Sequence, residues 1–148
     1  MIINFYTHES AYCQFSCVLM AEIISSTLFL IAAKIILTFF FWIAGIYGIF
    51  NFQEIEKEMS DVRLPHPRLF AIATIFCQLS GSLLIILNPY GYGWIGAGAL
   101  IIFTLLTIPL GHAFWKFDEP KRTSEFHIAL EHISLIGGLM LATALSVI

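Results

Sequence analysis

Gln78, His112 and Glu131 fall inside long apolar stretches, where an amide, an imidazole and a carboxylate could together hold a small polar molecule. Ionisable groups are costly in hydrocarbon, so their presence there points to binding or proton transfer as a first hypothesis. His127 and Glu131 are four residues apart and, at about 100° per residue, share one helix face, with His132 about a quarter turn away. Glu131 is therefore expected to point inward. There is no HExxH and no CxxCH, so neither a metal site nor haem is expected from His112, His127 and His132. Cys13 and Cys17 stand four apart and Cys77 stands alone, without the CxxC pair that thiol-disulfide exchange uses. Cys77 is expected to be an inert buried thiol. No residue set forms recognisable catalytic machinery.

The elements that must position these groups are four apolar segments, approximately residues 33–52, 69–87, 94–115 and 126–148. About 20 residues at roughly 1.5 Å rise cross a hydrocarbon core of about 30 Å, and lipid leaves exposed backbone unpaired, so each segment should be helical. Of 148 residues, 59% are hydrophobic and only 11% charged, too little polar surface to clothe a soluble globule. The expected fold is all-α, an integral membrane four-helix bundle whose first partner is the lipid bilayer. A net charge of -3 and only 7 Lys and Arg without a basic stripe exclude nucleic acid as a partner. Lys57, Arg63 and Arg68 lie in the first connection and Lys116, Lys121 and Arg122 in the third, whereas residues 88–93 carry no cation. Because Lys and Arg favour the cytoplasmic side, both termini are expected to face outward.

Local signals refine the bundle. Residues 53–68 read as a charged connection, in which Pro65 and Pro67 exclude a continuous helix. The short turn 88–93 makes the second and third helices antiparallel neighbours. Trp94 and Trp115, about 31 Å apart along a helix, are expected to be interfacial anchors, and Pro109 to bend the helix between them and free the Leu105 carbonyl. Thr123 is the expected N-cap of the last helix, with Glu125 in its first turn facing the positive helix end. Ser134, Gly138, Ala142 and Ser146 recur every four residues, and together with Gly81 and Gly137 they are expected to admit close helix packing. The chain divides into an extension or interfacial lead-in, 1–31, and a membrane domain, 32–148. Within the extension, Met20-Ala21-Glu22 reads as well as a translation start as Met1 does, making 1–19 dispensable, and 23–33 is a helical lead-in. The first 20 residues lack the basic region of a cleaved signal peptide.

Two readings of the polar residues stand side by side. In one, Gln78, Ser82 and Ser134 are interhelical hydrogen-bond glue, each worth roughly 0.6 kcal/mol. In the other, Gln78, His112 and Glu131 line a pocket open to the cytoplasmic side, able to hold a quinone headgroup or another small polar molecule. The sequence alone requires no cofactor, and quinone is the one named by this pocket.

Five segments carry a resemblance: Phe39-Phe40-Phe41-Trp42-Ile43-Ala44-Gly45 leading to Asn51-Phe52, then Pro65-His66-Pro67, Gln78-Leu79-Ser80-Gly81, His112-Ala113-Phe114-Trp115 and His132-Ile133-Ser134-Leu135-Ile136-Gly137-Gly138. In order and spacing, from about residue 35 to 144, they resemble the DoxX family of small bacterial membrane proteins. The resemblance implies a multi-pass protein of the bacterial inner membrane. The family is named for a subunit linked to quinone-dependent sulfur oxidation and includes members associated with oxidative-stress complexes. It has no agreed catalytic set, so Gln78, Gly81, His112, Trp115, Gly137 and Gly138 carry over as signature positions only. The extension before Lys34 departs from the family's short start. The leading expectation is an accessory subunit of a membrane redox or oxidative-stress assembly, with a redox protein or a second copy as partner. A quinone-binding oxidoreductase subunit comes next, and a small-solute carrier third.

Overall fold

The computed structural model describes residues 16–147. Cys13 and the rest of 1–15 lie outside the described residues. Over those described the fold is helical without strands, as expected of an all-α membrane protein. By compactness the chain forms two units, 1–33 and 34–148.

Helix α1 (Ser16–Ser25) lies in the first unit and is followed, after a bend of 57°, by α2 (Thr27–Leu37), whose last residues belong to the second. Ser26 causes the break. Its hydroxyl donates to the Ile23 carbonyl (2.7 Å) and accepts the Phe29 N–H (3.3 Å), satisfying one of the free donors at the start of α2. The lead-in expected over 23–33 is thus two helices rather than one, because a Ser at this position competes for backbone hydrogen bonds.

The segment expected as a single first span, 33–52, is also divided. Thr38 is fully buried between α2 and α3 (Phe39–Phe50), and its hydroxyl donates back to the Lys34 carbonyl (2.8 Å). The backbone ladder runs on across this division: the Thr38 N–H reaches the Lys34 carbonyl and the Trp42 N–H the Thr38 carbonyl, both at 3.1 Å. Beyond Asn51, the stretch read as a charged connection forms a further helix, α4 (Phe52–Asp61). Phe52, Ile55 and Met59 recur at i, i+3, i+7 and are partly buried, while Gln53, Glu54 and Lys57 are exposed. The tight turn 62–66 places Arg63 and His66 at positive φ, and α5 (Pro67–Leu87) opens with proline at its first position, where no N–H is needed.

Helix α5 packs against α3, α4 and α6 (Gly93–Gly111), and α6 against α7 (Lys121–Ser146). Between α5 and α6 the backbones touch: a Cβ on Gly96 would stand 2.5 Å from the Gly81 carbonyl oxygen. Only glycine fits there, which gives Gly81 the close approach its sequence context suggested. Asn88, in the left-handed region, closes the turn. Its side-chain oxygen accepts the Gly93 N–H (2.8 Å) and its amide donates to the Ser146 carbonyl (3.3 Å), tying the turn to the end of α7. The core joins Phe41, Ile85, Ala97, Leu100, Leu139 and Ala142.

At its other end α6 stops at Gly111, two residues past Pro109, so Trp115 stands on a separate short turn, Phe114–Lys116, rather than on a helix continuous with Trp94. Nor is Thr123 the cap of α7. The helix begins at Lys121, and the Glu119 carboxylate accepts both the Thr123 N–H (3.3 Å) and its hydroxyl (2.6 Å), capping the first turn from outside.

Helix α5, the stretch Gly93–Lys116 and α7 are each long and apolar enough to cross a membrane, and the bent pair α1–α2 makes a fourth if taken as one span. Large apolar side chains crowd the outside, Phe50 at 82% exposure among them. Such a surface is stable only against hydrocarbon, and the protein is a multi-pass membrane protein.

Candidate functional site

A cavity of about 750 Å³ opens among α3, α4, α5, α6 and α7. Its walls are largely apolar, with Phe40, Phe70, Phe103 and Leu106 prominent. Polar groups gather toward one end: Gln78 from α5, His112 just past α6, and Glu125 and His132 from α7. Glu58, Asp61 and Lys121, all exposed, also line it.

Each polar side chain is held differently. Gln78 is only 6% exposed, inside the largely apolar helix α5. Its amide makes no hydrogen bond to another described residue, yet no fully buried side-chain nitrogen or oxygen lacks a partner, so the accessible part of that amide faces the cavity. His112 leaves α6 because its N–H caps the helix, reaching the carbonyls of Thr107 (3.2 Å) and Ile108 (3.1 Å). This frees its ring to meet α7, where Nδ1 lies 2.9 Å from Glu125 Oε2. His132, 9% exposed, sets its Nδ1 2.8 Å from the Ile128 carbonyl oxygen, and Phe40 meets its ring edge-on with centroids 6.1 Å apart. The two imidazoles face each other with centroids 4.9 Å apart at 54°.

A family model described as DoxX matches residues 29–113, more than half of the chain. The chain belongs to the DoxX family. No curated protein and no solved structure matches it. The DoxX match contains Gln78 and ends one residue after His112, so the cavity joins two residues of the matched region to two, Glu125 and His132, contributed by α7 beyond it.

Of the residues singled out in this DoxX sequence, Gln78 and His112 line the cavity and Glu131 does not. Glu131 is exposed, and His132 takes the inward position. The reason is angular. A repeat of four residues precesses about 40° per step around a helix, so the stripe from Ser146 back to Ser134 winds off the buried face, and Glu131, about 100° from His132, falls at the edge of that face rather than at its centre. The buried face of α7 runs through Ala129, His132, Leu139 and Ala142, and His132 and Leu139, seven apart, differ by only about 20°.

The packing stripe is corrected for the same reason. Ala142 is buried and Gly138 admits Leu37, whose Cδ1 would stand 2.7 Å from an added Cβ. Ser134 is exposed, with its hydroxyl bonded to Leu130 of its own helix (3.1 Å), and Gly137 is exposed with nothing within 4 Å of an added Cβ. Trp94 and Trp115 both lie on the surface. Cys17 is exposed, and the Cys77 thiol, half-buried, points at the Ala99 carbonyl (3.8 Å). Among the described residues no three His, Cys, Asp or Glu side chains come together as a metal site.

Glu125 and the lining from α4 escape sequence reasoning. Glu125 is 13 residues from His112 and belongs to no local motif. Helix α4 could have been found from the spacing of Phe52, Ile55 and Met59 beneath its charges.

Proposed function

We propose that this DoxX-family protein holds the headgroup of a quinone-type lipid in the cavity between α3 and α7 and serves as a subunit of a bacterial inner-membrane redox assembly. The observation that carries the reading is Gln78: a residue almost wholly buried whose amide, without a partner among the described residues, is open to a cavity with apolar walls and two imidazoles. Ligand sites of this kind combine a mostly apolar lining with a few convergent polar groups, and about 750 Å³ lies within their usual size range. An unpaired buried amide costs stability, and a ligand that hydrogen-bonds to it recovers that cost. A planar ring with oxygen at its edge meets both demands, with its face against Phe40 and Phe103 and its oxygens toward Gln78.

In this reading the chain's part in an assembly is to bind and orient such a ligand for a redox partner. Calorimetric titration of the detergent-purified protein with a short-chain benzoquinone should give saturable binding, weakened about tenfold by Gln78→Leu, the loss expected of one hydrogen bond whose partner stays buried. Absence of binding by the wild type would remove the ligand reading. Purification in mild detergent should retain a redox partner, and recovery of the protein alone under several conditions would remove the subunit reading.

A further inference from the structure

We propose that the cavity takes its ligand in the reduced, hydroquinone form in preference to the quinone, because both imidazoles meet it as hydrogen-bond acceptors. The inference rests on the quinone-headgroup reading above and adds to it the oxidation state that the site selects.

Proton positions follow from the partners. The Ile128 carbonyl oxygen can only accept, so the His132 nitrogen 2.8 Å from it, Nδ1, carries the hydrogen. The Glu125 carboxylate, 2.9 Å from His112 Nδ1, likewise accepts from that nitrogen. In its neutral form an imidazole has a single N–H, which these partners place on Nδ1, and in that form Nε2 of each ring presents a lone pair. Neither Nε2 bonds to another described residue, and no fully buried side-chain nitrogen is left unpartnered, so both remain accessible on residues that line the cavity.

The neighbouring groups lean the same way. The Thr107 hydroxyl spends its proton on the Thr104 carbonyl (2.8 Å) and offers the cavity only lone pairs. Glu58 and Asp61 are acceptors when ionised. The Lys121 ammonium is the strong donor in the lining, and it sits 4.0 Å from the centre of the Phe117 ring on an exposed residue. Gln78 and Thr74 can donate or accept, which lets either form of the ligand bind but does not separate them.

A quinone presents only carbonyl oxygens, which accept, and one set against an imidazole lone pair leaves both groups unpaired. A hydroquinone presents two O–H donors at the same ring positions. Sites that pair a hydroxyl discriminate well against the analogue that lacks one, because the buried acceptor is then left bare. Binding itself moves no electron and breaks no bond: the hydroxyl proton is shared with Nε2 and stays on oxygen.

The test is paired calorimetric titration of the full chain in one detergent, using a short-chain benzoquinone and its hydroquinone kept reduced under argon, with both corrected for partition into micelles. The wild type is expected to bind the hydroquinone about tenfold more tightly, the factor that one satisfied hydrogen bond of about 1.4 kcal/mol represents. Equal affinities, or tighter binding of the quinone, overturn this inference while leaving the headgroup reading intact. Failure of both forms to bind overturns that reading instead. His132→Phe keeps a ring beside Phe40 and removes one acceptor. It should cut the ratio of the two affinities, both measured on the same variant, at least about threefold. A preference untouched by that substitution, in a variant that still binds the quinone, takes the imidazoles out of the account. The wild-type ratio does not depend on any variant folding.

Discussion

Gln78 sits where burial ought to cost it most. An amide transferred from water without a partner loses roughly 1–3 kcal/mol by mutational measures. Gln78→Leu keeps nearly the same volume and removes that burden, so the ligand-free variant should unfold at a temperature a few degrees above the wild type while binding the quinone less well. Thermal unfolding followed by circular dichroism in detergent reads the first effect. A variant less stable than the wild type would mean that the amide has a structural partner after all, and would return Gln78 to the hydrogen-bond glue considered from the sequence. Gln78 and His112 were legible as candidates, and both line the cavity, because a polar side chain in an apolar run has few ordinary explanations. His132 was not, because choosing it over Glu131 needs the buried face of α7 to within about 50°, and a stripe of small residues indicates that face less well than Leu139 and Ala129 do. Glu125 drew notice for a helix-end charge, whereas its partner is an imidazole 13 residues back, a relation that only the tertiary fold creates.

Among the helices, the glycines separate packing from composition. Gly96 and Gly137 lie in equally apolar surroundings, but an added Cβ on Gly96 meets the Gly81 carbonyl and on Gly137 meets nothing. Gly96→Ala should therefore cost about 1–3 kcal/mol through forced separation of α5 and α6, while Gly137→Ala should be neutral or gain up to about 1 kcal/mol from helix propensity. Denaturation of the two variants in mixed micelles, side by side, checks the contrast. Equal losses would show that the contact between Gly81 and Gly96 is not what holds the pair. The long helices α5, α6 and α7 were readable because hydrocarbon thickness dictates a length of apolar sequence. Breaks and short helices were not. Ser26 and Thr38 stand at helix boundaries with hydroxyls bonded back to the backbone, which hydropathy does not register, and α4 hides three inward apolar residues under a run of charge.

Seen across the bilayer, the unit formed by residues 34–148 has two chemically different ends. The turn containing Tyr90 and the end of α7 belong together, since the Asn88 amide donates to the Ser146 carbonyl. The polar end of the cavity lies at the opposite ends of α6 and α7, with His112, Lys121 and Glu125, where the cationic connections also lie. By the bias of Lys and Arg toward the cytoplasm that end is expected to face inside, and the proposed headgroup site to be filled and served from the cytoplasmic side. Single cysteines decide it, introduced after Cys13, Cys17 and Cys77 are replaced by alanine. Tyr90, at 96% exposure, and Asp118, also exposed, mark the two ends without disturbing either. A membrane-impermeant maleimide applied to intact cells should label Tyr90→Cys at once and Asp118→Cys only after permeabilisation. The reverse pattern would put the site at the outer face and require its partner to be sought there, because no rearrangement of side chains could carry His112 and Glu125 to the other end of helices that already span the bilayer.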